Sequence, residues 1–316
     1  MNLLAVVWDF DPTLFTIFGF EIRWYSLTWV AALLFGGWLF SYFCKREGKP
    51  QGVSDTAFLY IALGTILGAR IGHCLFYEPM EYLQAPWKII TGIRDGGLAS
   101  HGAAIGIILG IWLSSRKNKV SVWWTADRLG IIAPLSGAFI RFGNLFNSEI
   151  FGCATDLPWR FQFINATIYK RGYAEYVKNC EELDQDPVKY YDWAIENVPF
   201  SHPTQIYEAL SYIVVFAILF VLYRYTKVAE RKGFIFGAAM VGIFVPRFII
   251  EFIKLEQVSN EIFWGLNRGQ WLSVPFIVVG VAIMIWAWFR HKNEPAVAEP
   301  KAQNSNEPKN KRHFKK

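Results

Sequence analysis

The chain has 316 residues, of which 53% are hydrophobic, 17% aromatic and only 18% charged, with a formal net charge of +6. Soluble domains carry about 25% charged residues, and collagen, coiled-coil, disordered and disulfide-scaffold classes fail on composition as well. A soluble fold with this many Phe, Trp and Tyr side chains would expose large apolar patches, so a polytopic membrane protein remains.

Ahead of the first span, VVWDFDPTLFTIFGF reads as an interfacial segment. Asp9 and Asp11 break the apolar run, so no cleavable signal peptide is expected. A bilayer core takes about 20 apolar residues per helix, and spans are predicted over 25–44, 56–77, 97–115, 122–145, 204–223, 234–254 and 270–289. Lys and Arg cluster in alternate connections: Lys45, Arg46 and Lys49; Arg116, Lys117 and Lys119; Arg224, Lys227, Arg231 and Lys232; and the tail from Arg290. The opposite side holds the N-terminus and a segment, 146–203, rich in Asp and Glu. The positive-inside rule then puts the N-terminus out and the C-terminus in.

The expected architecture is therefore all-α and polytopic, with about seven transmembrane helices. Residues 1–292 form the transmembrane domain, with 146–203 an outer-side insertion between spans four and five. Residues 293–316 form a basic tail of disordered composition. Its charge suits anionic lipid on the inner face better than nucleic acid, so the bilayer is an expected partner and nucleic acid is not. Cys44 and Cys74 fall in or beside spans as small apolar residues. Cys153 and Cys180 share the outer loop, where a disulfide is an open possibility. No Cys or His spacing points to a metal.

Ionisable groups at bilayer depth cost at least about 2.5 kcal/mol each and persist where they face a partner, a cavity or a substrate. Span two carries Arg70 and His73, and span three opens at His101. Span four closes with Arg141, Asn144, Asn147 and Glu149, and span five opens with His202, Gln205, Tyr207 and Glu208. Span six carries Pro246, Arg247, Glu251 and Lys254. Nearly all lie in the outer half, on five helices. Arg247 and Glu251, four apart, could simply neutralise each other, His73 is expected to pair locally, and Asp127 with Arg128 reads as a structural pair near the inner end. Several arginines against few carboxylates point to an anionic ligand, and phosphate suits the guanidinium fork.

At these residues the chain resembles the prolipoprotein diacylglyceryl transferase family, from FDPTLF at Phe10–Phe15 to QWLSVP at Gln270–Pro275. The motifs IRWYSL, DGGLASHGAAIG, RFGNLFNSEIFG, HPTQIYE and PRFIIEF occur in the family's order on the expected spans. The resemblance implies a multi-pass protein of the bacterial cytoplasmic (inner) membrane. It would move diacylglyceryl from phosphatidylglycerol to the lipobox cysteine of a preprolipoprotein signal peptide, forming a thioether and releasing glycerol 1-phosphate, with no cofactor. Functional weight falls on Tyr25, His101, Arg141, Asn144, Glu149, Gly152, Arg247 and Glu251. Two positions depart from the family pattern: Ile243 stands where Tyr is frequent, and Lys254 where an arginine is typical.

In this reading Tyr25, Arg141, Asn144, Glu149, Gly152, Arg247 and Glu251 bind phosphatidylglycerol, with Arg141 and Arg247 gripping its phosphate. His101 is the candidate base for the substrate thiol, because histidine titrates near neutral pH; Glu149 and Tyr25 are alternatives. A membrane transporter of a small anion or phospholipid is the competing function, since buried charges and a Pro-kinked helix serve that as well.

Overall fold

A computed structural model describes residues 4–77, 79–87, 89, 99–179, 187–255 and 265–293. Long apolar runs become long helices: α1 (Trp24–Arg46), α2 (Gln51–Phe76), α3 (Pro79–Gln84), α4 (Ser100–Lys117) and α5 (Val122–Phe146). After them come α6 (Thr167–Asn179), α7 (Pro187–Asn197), α8 (Thr204–Tyr225), α9 (Phe234–Ile250) and α10 (Arg268–Asn293). Among the described residues, 6 helices are long and apolar enough to cross a membrane: α1, α2, α5, α8, α9 with the 3-10 turn that ends it, and α10. The chain is thus a mostly helical, polytopic membrane protein. The expected span over 97–115 becomes α4, with 18 residues. Three glycines, His101 and the terminal Arg116 and Lys117 keep α4 below the apolarity of the others.

The glycines of α4 have a packing role. Gly64 and Gly68 of α2 meet Gly102 and Gly106 of α4 backbone to backbone, and Gly72 meets Gly102. A Cβ at Gly68 would lie 3.0 Å from the Gly106 Cα. Small residues at this spacing let two helices in lipid approach closely enough for dispersion to hold them.

The segment expected to be interfacial forms strands. β1 (Val6–Val7) pairs in parallel with β4 (Phe161–Gln162), joining the N-terminus to the insertion. β2 (Thr13–Ile17) and β3 (Phe20–Arg23) make an antiparallel hairpin. Its two-residue turn places Phe18 and Gly19 at positive φ, 48° and 80°, the conformation that tight hairpins require. The insertion has its own small core of Ile164, Ala194 and Val198. There the Gln162 side chain donates to the Ile195 and Val198 carbonyls at 2.9 and 2.8 Å. Cys153 is an exposed free thiol; Cys180 and residues 294–316 lie outside the described residues.

At the other end, which carries the basic connections, the main core gathers Phe43, Ile131 and Ile235, with Leu39, Trp124 and Tyr223 around them. Asp127 and Arg128 form the pair expected from sequence, though at 3.9 Å it is loose, because adjacent helical positions point roughly 100° apart. Arg128 grips Glu47 more closely with two nitrogens, Nε to Oε1 at 3.0 Å and Nη2 to Oε2 at 2.8 Å. Trp124 and Tyr223 also donate to Glu47. Asp127, fully buried, accepts the backbone N–H groups of Gly233 and Phe236 at 2.7 and 2.9 Å. It so caps the N-terminus of α9, where a carboxylate is favoured.

The glycine contact is testable by melting the purified chain in detergent. Gly68→Val should destabilise it by at least about 1–3 kcal/mol, the usual cost of overpacking. Gly52→Ala, with open space around its Cβ, should leave the melting temperature unchanged. Equal melting of Gly68→Val and the parent chain would remove the role given to the glycines.

Candidate functional site

At the insertion end of the bundle, three helices place charges against one another. Arg141, near the end of α5, brings Nε to 2.7 Å from Glu208 Oε2 on α8. The contact lies off the N–H direction, so this oxygen has close charge contact without a linear hydrogen bond. Glu208 has no exposed surface, and its other oxygen accepts from Lys254 Nζ at 2.9 Å. Lys254 also donates to Glu251 Oε2 at 3.0 Å. Arg141 Nη1 donates to Asn144 Oδ1 at 3.2 Å. Tyr212, one turn beyond Glu208, stands beside both Arg141 and Arg247.

Arg247 differs from the other cations. It follows Pro246 inside α9, where the missing N–H weakens the helix ladder. Its Nε is buried and has no hydrogen-bond partner among the described residues, and no carboxylate there pairs with it. The neutralisation of Arg247 by Glu251, open from the sequence, does not occur: Glu251 is engaged by Lys254. Arg141 and Lys254 thus engage Glu208 and Glu251, while Arg247 is left without a carboxylate partner among the described residues. An anionic ligand would supply one.

Backbone geometry fixes the site's rim. Ser148 and Ile150 adopt φ of 52° and 60°, a region a β-branched residue rarely enters. Neighbouring side chains hold them there. Gln205 Nε2 donates to the Glu149 carbonyl at 2.6 Å, and Thr204 Oγ1 to the Ile150 carbonyl at 2.7 Å. Gly152 then passes between the chain at His202 and the chain at Ile253; a Cβ there would lie 2.6 Å from the His202 Cβ. Its backbone N–H donates to the His202 carbonyl at 2.8 Å, and it bridges Lys254. Gly143 admits Tyr25 of α1, whose ring would lie 2.7 Å from an added Cβ. Desolvation pushes the Glu149 carboxyl above its ordinary range, opposed by hydrogen bonds from Asn144 and Asn147. Glu149 as a whole is exposed, so solvent limits that effect.

The structure therefore joins Tyr25, Arg141, Asn144, Glu149, Gly152, Arg247 and Glu251 to one region. It does not tie in His101, which is exposed on the first turn of α4 with no hydrogen bond among the described residues. Arg70 is used elsewhere, donating to the Ile89 carbonyl at 2.9 Å and covering the Tyr82 ring. His73 stacks on Tyr77, a local partner as expected. Absent from the expected site set were Glu208, Lys254, Gln205, Tyr212 and the cap of α10. In that cap Asn267 and Gln270 exchange hydrogen bonds at 3.0 and 2.9 Å, and Asn267 also donates to the Glu251 carbonyl at 3.1 Å. A carboxylate at Glu208, inside an otherwise apolar helix, was the signal available.

Comparison with known proteins leads to one family. The model of the prolipoprotein diacylglyceryl transferases matches residues 12–286. The chain is 42% identical over 289 residues to the phosphatidylglycerol–prolipoprotein diacylglyceryl transferase of Porphyromonas gingivalis, covering 89% of this chain and 94% of that one. It is 38% identical over 279 residues to the protein of that name from Tolumonas auensis, covering 88% and 96%. The corresponding Bacteroides fragilis protein is 34% identical over 295 residues, covering 90% and 96%.

Removing the shared carboxylate tests the charge arrangement. Glu208→Ala leaves Arg141 and Lys254 facing one another without their common partner and should cost about 3–5 kcal/mol of stability, as for other broken buried pairs. A thermal melt of that variant matching the parent would refute it.

Proposed function

Because the chain belongs to the prolipoprotein diacylglyceryl transferase family, we propose how its own residues carry out the transfer of diacylglyceryl from phosphatidylglycerol to a prolipoprotein. The observation that carries the reading is Arg247, whose Nε is buried without a hydrogen-bond partner and which pairs with no carboxylate among the described residues. The phosphate of phosphatidylglycerol supplies the anion it lacks. Arg247 and Arg141 grip it, and Asn144 donates a further hydrogen bond. Glu251 and Glu149 orient the headgroup hydroxyls, and Tyr25 packs at the same mouth.

The acceptor is the thiol of a lipobox cysteine. Its thiolate attacks the glycerol carbon, a C–S bond forms, and the C–O bond to phosphate breaks. Its electron pair leaves on glycerol 1-phosphate, where preorganised cations stabilise the developing charge. His101 takes the thiol proton, provided substrate binding brings the cysteine to the exposed first turn of α4; Glu149 is the alternative base. The clustering of Lys and Arg supports an N-terminus outside and a C-terminus inside a bacterial inner membrane. The glycine-bound α4 then makes the third of seven crossings. Anion transport would use the same buried charges, but the family match favours the transferase.

Purified protein, labelled phosphatidylglycerol and a lipobox peptide test this reading. Arg247→Ala should lower transfer about 10²- to 10³-fold, the loss typical of a deleted transition-state donor. Arg247→Lys should fall between, keeping charge but losing the fork. Full lipid binding and transfer by Arg247→Ala would remove the clamp, and near-full transfer by His101→Gln would remove the histidine base. Replacing all four cysteines with Ala should leave transfer intact, because the nucleophile belongs to the substrate.

A further inference from the structure

Beside the phosphate site, and outside the membrane-spanning helices, lies a cavity of about 290 Å³. The loop after α5 forms one wall through Ser148, Glu149 and Ile150, the insertion helix α6 another through Ile168 and Arg171, and Leu255 a third. We propose that this cavity receives the polypeptide substrate, as an extended segment next to the acceptor thiol. The proposal rests on the transferase reading and gives the insertion a role in that reaction.

Four observations converge on a peptide. Ser148 is only 2% exposed, yet its hydroxyl has no hydrogen-bond partner among the described residues. Buried hydroxyls are normally paired, and one lining a cavity is matched by a backbone amide or carbonyl arriving from outside. The same serine, with Ile150, is held in the left-handed region by Gln205 and Thr204; strain of this kind gathers at ligand clamps. The lining mixes one carboxylate, one guanidinium and the apolar walls of Ile150, Ile168 and Leu255. That mixture suits alternating backbone polarity and small side chains. The volume falls at the small end of ligand pockets, about 300–1,000 Å³, which admits a residue or two and not a two-chain lipid.

Position adds the connection to chemistry. Glu149 lines the cavity in the loop that follows Arg141 and Asn144 at the end of α5, and Leu255 is the neighbour of Lys254. A chain seated here has its cysteine delivered at the mouth of the phosphate site. Substrate positioning of this kind converts a two-body encounter in the membrane into a local one.

The test is steady-state transfer by the full chain in vesicles of phosphatidylglycerol mixed with a neutral lipid, varying lipobox peptide and phosphatidylglycerol separately. Ile168→Trp fills the cavity and Arg171→Glu reverses its one cation; both residues are exposed, and Arg171→Glu alone decides if the tryptophan disturbs folding. Each should raise the KM for peptide about tenfold while the KM for phosphatidylglycerol and kcat stay within about twofold, the pattern of lost uniform binding. With active wild-type protein, an unchanged peptide KM overturns the cavity proposal alone. A rise confined to the phosphatidylglycerol KM also overturns it, giving the cavity to the lipid headgroup. Folded wild-type protein without thioether product overturns the transferase reading and the cavity proposal together.

Discussion

The insertion end of the bundle is organised around a single carboxylate. Glu208 lies inside α8 with no exposed surface, and an ionised carboxylate there is strongly disfavoured unless it is paired. It is paired twice, by Arg141 from α5 and by Lys254 from the segment after α9. Three parts of the chain therefore owe their relative placement to one side chain. Lys254 extends the arrangement to Glu251, and the backbone of Glu251 accepts from Asn267 at the head of α10. Four transmembrane helices are joined this way, around charges that none of them would carry into lipid alone.

A second constraint acts on the backbone. The loop from Ser148 to Gly152 has to reverse direction beneath the insertion while keeping Glu149 near Asn144. It does so with two non-glycine residues at positive φ, which cost roughly 1–3 kcal/mol each. Thr204 and Gln205, fully buried at the start of α8, offset that cost by fastening the loop's carbonyls. Their neighbour His202 and residues Ile253 and Leu255 pair with the same loop through backbone bonds. The helix that supplies Glu208 thus also sets the rim, so charge and strain are anchored by one element.

Much of this was legible from residue order. Runs of apolar residues located the long helices to within a few positions, because a bilayer imposes one length and one polarity on every crossing. Arg141, Asn144, Arg247 and Glu251 were conspicuous as costly residues in apolar surroundings. The partner assignments were less legible, since pairing across helices depends on rotation about each axis. Arg128 and Asp127 illustrate this: neighbours in the chain, they touch at 3.9 Å, but their closer partners are Glu47 and the cap of α9. Glu208 was visible as an intramembrane carboxylate, but its central position depends on α5 and α9 both facing it. The strands near the N-terminus were hidden by their aromatic content, which reads equally well as an interfacial segment.

The two departures from the family pattern find a physical account in the same geometry. Lys254 offers an ammonium where an arginine is typical, and its task here is to serve two carboxylate oxygens from different elements, at 2.9 and 3.0 Å. A compact point charge with three donors is sufficient for that; a planar fork is an advantage only against a single bidentate acceptor. Ile243 carries no hydroxyl, but it packs against the cluster of Ala138, Ala209 and Tyr212. Tyr212 brings a phenol to Arg141 and Arg247 from α8. With Glu208 and Glu251 committed to Arg141 and Lys254, Arg247 retains the fork geometry that a phosphate requires. In the transferase reading, the phosphodiester of the donor lipid is the acceptor that this fork lacks within the chain.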